Sequence, residues 1–80
     1  MKTLYLYTAV GCHLCDKAKD IVWPLLDRHG YRLQSVDIGS DQALQSRYGT
    51  RIPVVRRDDR SEELGWPFSA GQLSRYLAAD

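Results

Sequence analysis

The only two cysteines of this chain lie three positions apart in Cys12-His13-Leu14-Cys15, where an N-terminal hydrophobic run hands over to a helical pattern. Nothing else in the sequence restricts the fold as strongly. Two cysteines so spaced at the first turn of a helix can close a small disulfide, and the helix amides and dipole favour a thiolate on the first sulfur. A C-x-x-C loop restrains the unfolded chain only weakly, so the pair is a poor structural brace. Eighty residues with 44% apolar and 26% charged content describe one small soluble domain. A chain of that size builds a single core and buries only about 60% of its unfolded surface.

Leu4, Tyr5, Leu6 and Tyr7 form a short continuous apolar run, which predicts a buried strand over 2–8. From Cys12 the apolar positions Cys15, Ala18, Val22 and Leu25 or Leu26 recur at helical spacing and end at Arg28-His29-Gly30. Pro24 lies inside this helix and is expected to kink or tighten it near Trp23. Trp23, Tyr31 and Tyr76 are assigned to packing. Tyr31, Leu33, Val36 and Ile38 predict a second strand with one wetter face, followed by a short helix capped at Ser40-Asp41 and stopped at Gly49. Strand, helix, strand at these lengths implies a right-handed parallel βαβ unit. Ile52-Pro53-Val54-Val55 and Leu64-Gly65-Trp66 then flank a polar stretch, in which Arg56, Arg57, Asp58, Asp59 and Arg60 are expected to form a solvated hairpin tip. Ser69 opens a last amphipathic helix through Leu73, Tyr76 and Leu77. The absence of repeats, linkers and low-complexity segments predicts a single domain over 1–80.

Eleven Lys and Arg against ten Asp and Glu leave a net charge of +1, which recommends no nucleic-acid partner. The apolar runs fall short of a membrane span, and Met1-Lys2-Thr3-Leu4 does not read as a secretion signal. A cytoplasmic address is the expectation. In that reducing compartment a lone C-x-x-C is more often catalytic or metal-binding than a permanent cross-link.

The C-x-x-C at the first strand-to-helix turn, Tyr5-x-Tyr7-Thr8, and Tyr48-Gly49-x-x-Ile52-Pro53-Val54 together resemble the glutaredoxin-like branch of the thioredoxin fold. More narrowly, Cys12-x-Leu14-Cys15-Asp16-x-Ala18 is similar to a family of short bacterial glutaredoxin-like proteins. The resemblance implies an α/β fold of order βαβαββα, a four-stranded mixed sheet flanked by three helices. It also implies thiol–disulfide oxidoreductase chemistry. Cys12, at the exposed helix edge, would be the nucleophile and Cys15, one turn in, the resolving thiol. The proline matching Pro53 is cis in such families, and its loop can pair with an incoming peptide or glutathione, which makes Ile52 and Pro53 substrate-binding candidates. His13 and Leu14 replace the dipeptides common between such cysteines; they could tune the redox potential, or His13 could be simply solvent-exposed.

The chain departs from true glutaredoxins where they hold glutathione. The basic residue usual three positions before the first cysteine is Ala9, and the Gly-Gly-acidic signature at the last helix is replaced around Trp66-Pro67-Phe68-Ser69-Ala70. Arg51 could pair with the glycyl carboxylate and Ser69 could bind a carboxylate, against the plainer roles of surface arginine and N-cap. Glutathione is therefore expected as a weakly bound co-substrate at most, with no cofactor required. The expected partners are a disulfide-containing protein or a glutathione mixed disulfide, and a thioredoxin or glutathione reductase system as donor, with the chain acting as a monomer. Two other readings remain open. One is a non-catalytic peptide-binding module with a groove lined by Trp66, Phe68 and Tyr7. The other is metal or iron–sulfur binding through Cys12 in a dimer, although one monomer offers no closed set of ligands.

Overall fold

Along the first strand, leucines alternate with tyrosines, so both faces of that strand require cover. The computed structural model describes residues 2–79. In it that strand, β1 (Lys2–Thr8), is a central strand of a four-stranded sheet, and helices cover both of its faces. After β1 the chain runs through α1 (His13–His29), β2 (Tyr31–Asp37), a 3₁₀ turn at Ile38–Ser40, α2 (Gln42–Tyr48), β3 (Val54–Arg57), β4 (Glu63–Gly65) and α3 (Ala70–Ala78). The spatial order is β2-β1-β3-β4. β1 pairs parallel with β2 from Lys2↔Tyr31 to Thr8↔Asp37, and antiparallel with β3 from Leu4↔Arg57 to Tyr7↔Val54. The expected βαβαββα order and mixed sheet are those observed.

Leu4 and Leu6 face α1 and α3, where they pack with Ala18, Val22, Leu25, Leu26, Leu73 and Leu77. Each of these leucines and Val22, fully buried, contributes about 1.5–3 kcal/mol. Tyr7 faces the other way, into a smaller cluster with Ile38, Tyr48 and Val54 beneath α2, with Tyr5 packed against it. Asp41 caps α2 by accepting from the amides of Ala43 and Leu44 at 2.9 and 3.2 Å. Ser69 caps α3 in a reciprocal capping box with Gln72.

α1 runs unbroken through Pro24 and ends where Gly30 adopts φ 75°, donating its amide to Leu26 and Asp27. That left-handed backbone suits a residue without a Cβ. Two packing expectations need correction. Trp23 is 61% exposed, because position 23 is off the stripe Cys15, Ala18, Val22, Leu25, Leu26 that α1 buries. Arg57 is not in a solvated tip: it belongs to β3, is 2% exposed, and its guanidinium bonds Asp59 and the carbonyls of Tyr76 and Ala79 at the end of α3. Only the segment between β3 and β4 forms the polar loop.

Candidate active site

Between β1 and α1 the chain must turn back over the sheet edge, and Gly11 does this at φ 80°, a region closed to most side chains. Just before it, Ala9 accepts the amide of Cys12 at 3.2 Å. Cys12 thereby becomes the N-cap of α1, with extended backbone, and its Sγ accepts the amide of Cys15 at 3.1 Å. A sulfur takes the place that a serine or aspartate oxygen usually fills. The first-turn amides of a helix are its positive end, so the arrangement favours negative charge on this sulfur.

Cys12 and Cys15 are disulfide-bonded, with Cα atoms 5.3 Å apart. Their environments differ. Cys15 is 2% exposed on the buried stripe of α1, whereas Cys12 borders an open pocket of about 280 Å³. The Thr8–Gly11 segment, His13, Asp16 and Lys19 of α1, and Asp37 at the end of β2 line that pocket. His13 and Leu14 are exposed, with His13 on the pocket wall.

Ile52-Pro53 is cis, and Pro53 is buried. The register Tyr7↔Val54 brings Pro53 to the end of the sheet that carries the sulfur pair. Trp66-Pro67 is also cis, which the sequence reading did not anticipate. The Pro53 carbonyl accepts the Trp66 amide at 3.1 Å, tying the two proline segments together. Ahead of them, Arg51 and Ile52 both donate their amides to Tyr48, at 2.8 and 3.1 Å.

Arg51 is committed within the chain: its Nη2 donates to Glu63 at 3.1 Å. Ser69 is likewise engaged, accepting the Gln72 amide at 3.1 Å as the helix cap. Glu63 is the residue that sequence reasoning missed. It receives the Tyr48 hydroxyl, Arg51, and Arg47 at 3.4 Å, and so joins β4 to α2 and to the segment entering Pro53. Burial opposes its ionisation, but the hydrogen bonds from Tyr48 and Arg51, with Arg47 nearby, outweigh it and hold the carboxyl below its ordinary value. Burial first, then the bond to Glu63, pushes the Tyr48 phenol well up. An acid fifteen positions beyond its tyrosine leaves no periodic trace in a sequence.

Tyr7, Trp66 and Phe68 do not line one groove. Phe68 lies in the α1/α3 core with Trp66 edge-on to it at 5.2 Å, whereas Tyr7 stacks on Tyr48 beneath α2. Among the described residues no group of three or more His, Cys, Asp or Glu side chains could hold a metal ion. No helix is long and apolar enough to cross a membrane among the described residues.

A family model described as a glutaredoxin-like domain (Glrx-like, DUF836) matches residues 3–78. A comparison with curated proteins gave no match. Among solved structures, the chain is similar to the structural-genomics target protein XcR50 from X. campestris: 42% identity, 96% of this chain and 97% of that one covered, TM-score 0.81. Protein Ne2328 from Nitrosomonas europaea, at 24% identity with 96% and 92% covered, shares the fold with a TM-score of 0.82.

Proposed function

The chain belongs to the glutaredoxin-like domain family, with a thioredoxin-like fold, and from that premise we propose that it is a thiol–disulfide oxidoreductase with Cys12 as nucleophile and Cys15 as resolving thiol. The observation that carries the proposal is the asymmetry of the pair: Cys12 Sγ caps a helix beside an open pocket, and Cys15 is buried one turn in.

Starting from the dithiol, the Cys12 thiolate attacks one sulfur of a substrate disulfide. A bond forms between Cys12 and that sulfur, and the other substrate sulfur leaves as a thiolate that takes up a proton. Cys15 then loses its proton and attacks Cys12 Sγ. The mixed disulfide breaks, the second substrate thiol departs, and Cys12–Cys15 is closed. Two electrons have moved from the dithiol to the substrate. A protein disulfide or a glutathione mixed disulfide is the substrate class in view, and a second thiol system must return the electrons. Ile52 and Pro53 would hold the substrate backbone at the neighbouring sheet end. Arg51 and Ser69 would help to hold a ligand carboxylate only by giving up the internal bonds they make here.

The test is turnover of a model mixed disulfide by the wild type, Cys12→Ser and Cys15→Ser, with mass spectrometry of the protein. The expected result is no reduction by Cys12→Ser and an accumulating adduct on Cys12 in Cys15→Ser. A Cys12→Ser protein that reduces the substrate as fast as wild type would falsify the assignment. The wild-type couple should titrate in graded glutathione buffers as one reversible two-electron step between about −120 and −280 mV.

A further inference from the structure

On the sheet face turned towards α2, Arg56 is held on three sides. Its Nε donates to the Tyr7 hydroxyl at 3.3 Å, its Nη1 donates to the carbonyls of Arg57 and Arg60 at 3.1 and 2.9 Å, and the guanidinium lies 5.0 Å over the Tyr5 ring. Its Nη2 donates to no acceptor among the described residues. The cation is thus fixed in place with one arm undirected, and a group ordered beforehand loses less entropy on binding.

That arginine lines an open pocket of about 310 Å³ with Tyr7, Leu44, Arg47, Tyr48 and Ser61. No carboxylate lines it. Glu63, the acid that Arg47 touches, is already shared with Tyr48 and Arg51, which leaves three arginines against one carboxylate around this face. The Ser61 hydroxyl makes no hydrogen bond among the described residues, and Leu44 with the Tyr7 ring supplies an apolar wall. Two arginine forks and a hydroxyl are suited to oxygens of a planar or tetrahedral anion, and the volume reaches the small-molecule range.

We propose that this pocket binds a small organic oxyanion, with its phosphoryl or carboxylate group on Arg56, Arg47 and Ser61 and its organic part against Leu44 and Tyr7. None of its lining residues lines the pocket beside Cys12, so the site is separate from the sulfur chemistry and does not depend on it.

The test is an amide-NMR titration of the full chain with phenyl phosphate and with benzoate, each at constant ionic strength set by chloride. Saturable shifts confined to residues around Leu44, Arg47, Tyr48, Arg56 and Ser61 are expected with at least one of them, and the stronger binder identifies the head group. Arg56→Gln should weaken binding about tenfold or more, the loss expected for one charge-assisted contact. Arg47→Gln alters an exposed side chain, should leave the fold intact, and should weaken binding severalfold, so the test stands even if Arg56→Gln fails to fold. The proposal is overturned if shifts with both probes grow without saturating and spread over the surface cations, or if Arg47→Gln binds as wild type.

Discussion

Arg57 and Tyr76 are joined twice: the Arg57 amide donates to the Tyr76 hydroxyl at 2.9 Å, and the Arg57 guanidinium donates to the Tyr76 carbonyl at 3.0 Å. The pair pins the end of α3 to β3 and gives the last turn a cation where the helix dipole is negative. Replacing Arg57 by Met keeps the stem but leaves the α3 carbonyls without their donor. We expect Arg57→Met to lower stability by about 2–4 kcal/mol and the melting temperature by roughly 10 °C or more. Thermal unfolding followed by circular dichroism measures it; a shift of only a degree or two would show that α3 docks without this clamp.

The difference in exposure between the two sulfurs is directly readable in the reduced protein. Cys12 should alkylate with iodoacetamide much faster than Cys15 in the native state, and the two rates should converge in denaturant. Peptide mapping after brief labelling resolves them. Equal native rates would mean that Cys15 is not shielded by the α1 stripe.

Glu63 links stability to pH. Its folded carboxyl lies below the ordinary 4.5, so the stability it contributes is complete above that value and is lost as pH falls through the folded pKa. Tyr48 works at the other end: its folded pKa is raised, so its contribution is complete below 10.0 and is lost at higher pH. Glu63→Gln should cost about 1–2 kcal/mol at neutral pH and flatten the acid limb of stability below about pH 4.5. Denaturant unfolding across a pH series tests this, and an acid limb unchanged in Glu63→Gln would assign the linkage to other carboxyls.

Trp23 stands on the solvent side of α1 and Trp66 packs against Phe68. Acrylamide should therefore quench most of the accessible indole emission through Trp23. Trp23→Gln should remove that component while changing stability by no more than about 0.5 kcal/mol. A large destabilisation would mean that the indole covers part of the core after all.

The element order and the sulfur pair were legible because they rest on local patterns. The alternation of Leu4 and Leu6 with Tyr5 and Tyr7, the α1 stripe, and the Ser69 cap each express a periodicity or a short-range bond. Cys12 and Cys15 are legible from their spacing, whereas the cis Ile52-Pro53 bond follows only from the resemblance to glutaredoxin-like proteins. Arg57 sits in a charged run that resembles a loop, and nothing local in the sequence shows that the carbonyls at the end of α3 lie over it. Trp23 is apolar in type but its angular position on α1 falls off the buried stripe, and residue type alone does not show that. The Tyr48–Glu63 bond and the pairing of Arg51 depend on how β4 falls beside α2, and no local signal carries that information.

In most helices the capping group is chemically inert, and the first turn is indifferent to the rest of the molecule's chemistry. Here the cap of α1 is the sulfur of Cys12, the same atom that carries the bond to Cys15. Under the proposed chemistry the peptide group of Cys15 is therefore a built-in gauge: the state of the couple would be followed at a backbone amide, with no dye and no external probe attached to either thiol.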